Sequence, residues 1–145
     1  MTGVDFPQAR ILLFAREPVA GRVKTRLEPA LAVDGCLELH RALLHRTAET
    51  LSAAQLAPWQ LWVDGEVTHP DFLALREPGA IFRQRGVDLG ARMLDAAGYV
   101  LGGSGVECVL IVGADCPAVD EAYLADGLAA LGAGAEVVLG PAEDG

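Results

Sequence analysis

Four of the chain's 11 basic residues lie in the short segment 16–29, which directly follows the apolar run Ile11–Ala15. Acidic residues dominate elsewhere, and the formal net charge is -9. Positive charge on a Gly- and Pro-containing loop at the end of a strand is a common means of holding phosphorylated ligands in α/β proteins. The alternative is a solvated loop with no ligand. That alternative is weaker here because the basic run opposes the charge of the whole chain.

The basic loop does not match a Walker phosphate-binding loop, since Val23 stands where that motif requires a glycine before its lysine. A looser phosphate cradle remains. Gly21 permits close approach of the backbone, and Lys24 supplies a compact point charge. Three arginines can bind phosphate through two hydrogen bonds each: Arg16, Arg22 and Arg26. Of these, Arg22 is the one that we expect to be solvated only.

Asp115 is a candidate ligand for a divalent cation. It follows the apolar segment Val109–Val112 and precedes Pro117, so it is expected at the carboxyl end of a buried strand. Mg2+ typically needs only one or two protein carboxylates, with phosphate and water completing its octahedron. Asp115 could equally cap a turn, because aspartate often hydrogen-bonds backbone there. Spacing alone leaves both interpretations open.

The other chemically capable side chains have simpler interpretations. Cys116 is predicted to be a small buried thiol, because no histidine is adjacent to it in sequence. His40 and His45 are five residues apart and so lie on different faces of a helix, which excludes the i, i+4 pair of a zinc-binding helix. Asp88 stands where a helix N-cap is expected.

Strands and helices alternate along the chain. Continuous or alternating apolar runs predict five strands, at Ile11–Ala15, Gln60–Val63, Ala80–Gln84, Val109–Val112 and Val137–Leu139. Helical spacing predicts helices over about 34–53, over 89–100 and over 124–131. This alternation indicates an α/β domain with a mostly parallel sheet. Ligands of such sheets bind at the carboxyl ends of the strands, so the basic loop and the segment 113–117 should open onto one crevice.

Length and composition narrow the class of protein. The 145 residues fit a single domain over 1–145. The acidic balance argues against binding to nucleic acid or to anionic membranes. No apolar run approaches the roughly 20 residues that span a bilayer, and the first residues have no secretory signal pattern. The cysteines are odd in number and lack metal-site spacing, which predicts reduced thiols in a cytoplasmic protein: Cys36, Cys108 and Cys116.

Five segments, in this order, resemble the bacterial glycosyltransferase-A-like proteins related to nucleotide-diphospho-sugar transferases. They are FAREPVAGRVKTRL (14–27), HPDF (69–72), QRGVDLGARM (84–93), GADCP (113–117) and GPAEDG (140–145). The resemblance covers nearly the whole chain. More distantly, the KTRL and DCP elements are similar to those of guanylyltransferases that act on the molybdenum cofactor or on phospholactate.

The resemblance implies a Rossmann-like nucleotide-diphospho-sugar transferase fold that binds a nucleotide diphosphate with Mg2+ or Mn2+. It implies four residues on the phosphate side, namely Arg16, Gly21, Lys24 and Arg26. It further implies Asp88 near the nucleoside, Asp115 as the metal ligand and Asp144 facing the acceptor or the metal. Position 16 departs from the family pattern, where Lys is more usual. Relatives continue past the final Asp-Gly, so we expect this chain to be short at the acceptor region.

These observations predict a metal-dependent transferase that uses a nucleotide-activated donor and transfers a glycosyl group from a nucleotide sugar to a small-molecule acceptor. Lys24 and Asp144 are the expected catalytic residues. Two alternatives stay open. One is a nucleotidyltransferase that uses a nucleoside triphosphate and a phosphorylated acceptor, and the other is a non-catalytic nucleotide-binding module. The strand predicted at Val137–Leu139 offers a sheet edge that could recruit a partner strand and form a homo-oligomer.

Overall fold

The protein is an α/β domain, described in a computed structural model for residues 3–116 and 119–140. Its strands are β1 (Ala9–Arg16), β2 (Trp59–Asp64), β3 (Ile81–Arg83) and β4 (Cys108–Gly113). All neighbouring pairs are parallel, and the strand order is β3-β2-β1-β4. The predicted fold class is therefore confirmed. Each of these four strands was predicted to within one or two residues at either end.

The helices flank this sheet. They are α1 (Glu28–Ala54), α2 (Pro70–Leu73), α3 (Leu89–Leu101) and α4 (Glu121–Gly132). Ala32 interrupts α1 with non-helical dihedrals of φ 59° and ψ 174°. The regular part of α1 therefore begins after Ala32, close to the predicted start at 34. None of the described helices combines the length and apolar character needed to cross a membrane.

The strand order creates a switch point beside β1. The chain passes from β1 outward to β2 and β3, and then returns across the sheet to β4 on the other side of β1. In parallel α/β sheets, ligands bind where such a reversal leaves a crevice at the carboxyl ends of the strands. Two cross-strand pairs mark that edge, Arg16 beside Asp64 on β2 and Phe14 beside Gly113 on β4.

The core lies on both faces of β1, as its continuous apolar sequence predicted. Alternate side chains of the strand point to opposite faces. Ile11 and Leu13 join a large buried cluster with residues of α1 and α4, such as Leu44 and Leu124. On the other face a smaller buried cluster packs against α3: Leu12, Phe14, Trp62, Ala96 and Val100. This two-sided burial fixes the direction in which β1 delivers its last residue, Arg16.

The strand predicted at Val137–Leu139 is wrong, because these residues have no strand assignment in the structure. A strand needs a hydrogen-bonded neighbour and a buried face. No described strand pairs with this segment, and Val137 and Leu139 are 75% and 87% exposed. The sheet edges in the described part of the chain are β3 and β4 instead. The proposed sheet edge for a partner strand at 137–139 therefore has no support.

Candidate functional site

A cavity of about 880 Å³ lies at the carboxyl edge of the sheet. Residues that end or follow all four strands line it: Arg16 for β1, Asp64 for β2, Gln84 for β3, and Gly113 with Asp115 for β4. The basic loop supplies further lining residues, including Lys24 and Arg26. The predicted crevice between the basic loop and the segment after β4 is therefore present.

Two residues with positive φ shape the basic loop. Gly21 has φ 82°, and Lys24 adopts a left-handed conformation with φ 50° and ψ 39°. Between them Val23 is 2% exposed and anchors the loop in the protein. A Cβ on Gly21 would meet nothing within 4 Å, and Gly21 does not line the cavity. Its glycine is thus explained by backbone conformation and not by close approach to a neighbour.

Lys24 and Asp115 meet across the switch point. The Lys24 Nζ atom lies 2.9 Å from Asp115 Oδ1. The Lys24 side chain is 14% exposed and that of Asp115 is 76% exposed, so a largely buried stem presents its ammonium group to an open carboxylate. Lys24 is also the only lysine of the chain. The structure brings these two predicted site residues into direct contact.

Arg26 and Asp88 line the same cavity from two other elements. Arg26 is exposed in the 3-10 turn Thr25–Leu27 that precedes α1. Asp88 is the N-cap of α3, and its Oδ1 atom accepts a hydrogen bond of 2.8 Å from the Ala91 amide. The predicted capping role is confirmed, and the capping residue at the same time borders the cavity.

Arg16 lies on the β2 side of the cavity. Its Nη1 atom donates to the Arg22 carbonyl at 3.3 Å, and its Nε atom is 3.7 Å from Asp64 Oδ2. Arg22 is exposed, as predicted, and borders an adjoining smaller cavity of about 340 Å³. Arg16 and Asp64 line both cavities. Arg16 therefore connects the two spaces and contacts neither Lys24 nor Asp115 by a hydrogen bond.

Sequence reasoning missed two charged residues of the cavity wall, Asp64 and Arg92. Arg92 Nη1 lies 3.0 Å from Asp64 Oδ2, so the carboxylate is shared by two arginines. Asp64 is the last residue of β2. It could have been predicted, as Arg16 was, from the rule that ligands bind at the carboxyl ends of parallel strands. Arg92 follows Asp88 by one helical turn, which was an available signal once α3 had been predicted.

His40 is a third missed residue, placed on the cavity wall by α1. It is 5% exposed, and its Nε2 atom lies 2.8 Å from the Arg16 carbonyl oxygen. Because a carbonyl can only accept, Nε2 carries the proton and donates it. Burial lowers the pKa of His40 below its ordinary value of 6.5, although the hydrogen bond to Arg16 and the nearby Asp115 carboxylate oppose that shift. A neutral imidazole therefore anchors the end of β1.

The prediction that Cys116 is buried is wrong, because Cys116 is exposed. The chain leaves the sheet directly after β4, so Ala114 is 4% exposed while Asp115 and Cys116 turn outward. Cys36 is buried, as expected of a structural thiol, and Cys108 is half-buried. Burial raises the pKa of the Cys108 thiol, and Glu107 adds to that shift. The second expected catalytic residue, Asp144, lies outside the described residues.

The side chains at the cavity offer few ligands for a divalent cation. Within residues 3–116 and 119–140, no group of three or more His, Cys, Asp or Glu side chains could enclose a metal ion. Three described carboxylates line the cavity, those of Asp64, Asp88 and Asp115. Asp64 pairs with two arginines and Asp88 caps α3, whereas Asp115 is 76% exposed and has Lys24 as its partner. A single carboxylate suffices for Mg2+ when phosphate and water supply the other oxygens. The residues therefore fit a cation that binds together with a phosphorylated ligand, and they do not form a metal cage of their own.

The chain belongs to a bacterial protein family. Residues 47–145 match the family model described as "Uncharacterized protein conserved in bacteria (DUF2064)". A search of curated proteins gave no match. The matched region contains β2 to β4 and the segment with Asp115, whereas the basic loop lies before it.

A solved structure shares the fold over nearly all of the chain. It is a protein from Desulfovibrio desulfuricans G20, described as a "putative nucleotide-diphospho-sugar transferase", with 27% sequence identity and a TM-score of 0.77. The match covers 87% of this chain and 55% of that chain. The chain thus spans a little over half the length of this relative. The resemblance to the nucleotide-diphospho-sugar transferases and the predicted fold are both confirmed.

Proposed function

We propose that the cavity binds the diphosphate of a nucleotide-activated donor and that the protein is a metal-dependent transferase, with a nucleotide sugar as the donor. The observation that carries this proposal is the contact of 2.9 Å between Lys24 and Asp115. It joins the loop after β1 to the turn after β4, at the switch point where α/β sheets hold their ligands. The likeness to the Desulfovibrio protein supports the transferase class.

The basic loop supplies the charges that a diphosphate needs. Lys24 presents an ammonium group on a stem that is mostly buried, and Arg26 adds an exposed guanidinium group at the same cavity. Charges that are already positioned stabilise the negative charge that develops on a leaving diphosphate. Lys24 is therefore the proposed catalytic residue in the described part of the chain.

Asp115 would hold the divalent cation, Mg2+ or Mn2+. When bound there, the cation supplies further charge neutralisation next to the ligand phosphates. Asp115 now pairs with Lys24, but a pair with one partner 76% exposed contributes only about 0–1 kcal/mol of stability. A phosphorylated ligand can therefore replace the carboxylate as the partner of Lys24 and release Asp115 for the cation at little cost.

Isothermal titration with a panel of nucleoside diphosphates and nucleotide sugars, with and without Mg2+ or Mn2+, tests this proposal. We expect at least one nucleotide to bind in a metal-dependent way. Lys24→Met should strongly weaken that binding, and Asp115→Asn should remove its dependence on the metal. Arg46→Met and Asp95→Asn are matched controls, because both residues are exposed on helices and neither lines the cavity.

The products then define the reaction class. Glycosyl transfer from a nucleotide sugar releases a nucleoside diphosphate, whereas nucleotidyl transfer from a triphosphate releases pyrophosphate. Binding without either product would indicate a nucleotide-binding module. If no nucleotide binds with or without metal, the proposed function is wrong.

A further inference from the structure

A second group of charges lies on the other side of β1 from Lys24 and Asp115. In the order β3-β2-β1-β4, Asp115 follows the strand on one side of β1, and Asp64 ends the strand on the other. Asp64 Oδ2 lies 3.0 Å from Arg92 Nη1 and 3.7 Å from Arg16 Nε. Both arginines and Asp64 line the 880 Å³ cavity. We call these three residues the arginine cluster.

Each guanidinium group of the arginine cluster contacts protein acceptors through Nε and Nη1. Arg92 donates from Nε to the Gly86 carbonyl at 3.1 Å and pairs through Nη1 with Asp64. Arg16 donates from Nη1 to the Arg22 carbonyl and approaches Asp64 through Nε. Among the described residues, neither Nη2 atom has a hydrogen-bond partner. Two positioned pairs of N–H donors are thus available to a ligand.

The backbone around Arg92 is built to fix that side chain. Gly86 has φ 146°, and a Cβ on it would lie 2.7 Å from the Arg92 amide nitrogen. Asp88 caps α3 and accepts the Arg92 amide through its own carbonyl at 3.0 Å. The segment 84–93 therefore positions a guanidinium group at the cavity wall, which accounts for a glycine and a capping aspartate in it.

The segments that follow Arg16 and Asp64 also lie in close contact with each other. The Glu17 amide donates to the Asp64 carbonyl at 2.9 Å. Gly65 has φ 136°, and any Cβ there would collide with the Glu17 side chain. This close approach keeps Arg16 beside Asp64. It also places Glu17 at the smaller cavity with Arg22.

The charges that line the two cavities leave a small positive excess. Five cations face four acids: Arg16, Arg22, Lys24, Arg26 and Arg92 against Glu17, Asp64, Asp88 and Asp115. Guanidinium groups donate charge-assisted hydrogen bonds to carboxylate and phosphate oxygens with a more defined geometry than an ammonium group. We propose that the arginine cluster is a second oxyanion subsite, which binds a phosphoryl or carboxylate group other than the diphosphate at Lys24. A second substrate, or the transferred group itself, would thus carry an anionic substituent.

Titration of inorganic phosphate into Lys24→Met protein tests the subsite without depending on the proposed function, because this variant removes the ammonium group at Lys24. We expect phosphate binding to survive in Lys24→Met. It should weaken about tenfold or more in Lys24→Met combined with Arg92→Met. The matched control combines Lys24→Met with Arg85→Met, since Arg85 is exposed and does not line the cavity. Circular dichroism of each variant checks that it is folded.

The outcomes separate cleanly. Loss of phosphate binding with Arg92→Met but not with Arg85→Met supports the subsite. Equal affinity in both double variants, or no phosphate binding in Lys24→Met, overturns it, whatever the nucleotide panel shows. A parallel titration with acetate separates the ligand classes. Tighter phosphate binding assigns a phosphoryl group, and tighter acetate binding assigns a carboxylate.

Discussion

The two charged groups that flank β1 are built differently. On the β4 side, one ammonium group meets one carboxylate in an exposed turn, and the pair has no net charge. On the β2 side, two guanidinium groups share the carboxylate of Asp64. Asp64 ends β2 and pairs with Arg16 of β1 in the sheet. The first pair consists of a largely buried lysine and an open aspartate that can exchange partners. The second is a cluster held by strand ends, a helix cap and two glycines with positive φ.

This difference indicates two kinds of ligand group. A compact lysine charge next to an open carboxylate suits a diphosphate that arrives with a cation, because both protein groups change partner on binding. Fixed guanidinium groups suit a single oxyanion of defined orientation. Lys24 and Arg92 should therefore not substitute for each other, and loss of either should affect a different ligand group.

The largest expected effect comes from Lys24. Lys24→Met should weaken metal-dependent nucleotide binding about 10- to 150-fold, because loss of a charge-assisted hydrogen bond costs about 1.5–3 kcal/mol. Lys24→Arg should not restore binding, since the fork of a guanidinium group does not reproduce the compact charge of an ammonium group on a largely buried stem. Isothermal titration measures both variants. If Lys24→Met binds the nucleotide as tightly as the wild type, Lys24 is not part of the nucleotide site.

The second-largest expected effect is a loss of stability from Gly86→Ala, next to the arginine cluster. Gly86→Ala places a Cβ 2.7 Å from the Arg92 amide nitrogen in a backbone of φ 146°. We expect the free energy of unfolding to fall by about 1–3 kcal/mol, and phosphate binding in the Lys24→Met background to weaken. Gly21→Ala is the matched control. Gly21 also has a positive φ, of 82°, but a Cβ there meets no neighbour within 4 Å, so this substitution should not affect the arginine cluster.

A smaller effect is expected from Asp64→Asn. The substitution leaves Arg16 and Arg92 without their shared carboxylate, and the free energy of unfolding should fall by about 1 kcal/mol, since all three side chains are partly exposed. Added phosphate should stabilise this variant more than the wild type, because a ligand anion replaces the missing charge. Chemical denaturation with and without phosphate measures this difference. Equal stabilisation of the two proteins would contradict an anion subsite at the cluster.

The smallest expected effect concerns the pH dependence of stability that arises from His40. Its Nε2 atom donates a hydrogen bond to the carbonyl of Arg16, the last residue of β1. The pKa of His40 is lowered in the folded protein, so the unfolded chain binds a proton first as the pH falls through 6.5. Stability should therefore decrease below that pH, by at most about 1.4 kcal/mol per pH unit for one site. His40→Gln keeps a donor for the Arg16 carbonyl and should flatten that part of the stability profile. An unchanged slope in denaturant titrations across pH 5–7 would contradict the neutral imidazole.

How much of the site the sequence revealed depends on where each residue lies. Lys24 and Asp115 were predicted because each follows a strongly apolar strand, and the strands of a parallel sheet end at one edge. Arg92 and His40 project from helices whose rotation is set by packing, which local spacing does not specify. Arg16 was predicted as a phosphate-binding residue, but its neighbour Arg92 was missed, although the segment 84–93 had been singled out.

The errors have a similar origin. Val137–Leu139 is apolar enough for a strand, but strand formation depends on a neighbour that the local sequence does not identify. The prediction that Cys116 is buried relied on its residue type alone. The residue is exposed, because it follows β4 at the point where the chain turns into solvent. In both cases long-range contacts override local preference. By contrast, the helix cap at Asp88 was predicted because capping needs only the adjacent residues.

The most direct test of the Lys24–Asp115 centre uses the fact that the chain has a single lysine. Protein labelled with 15N-lysine should give one side-chain ammonium signal in NMR, which reports on Lys24 alone. We expect this signal to shift when a nucleoside diphosphate and Mg2+ are added together, and Asp115→Asn should remove the part of the shift that requires Mg2+. An ammonium signal that stays in place while a nucleotide binds elsewhere on the protein would contradict this prediction.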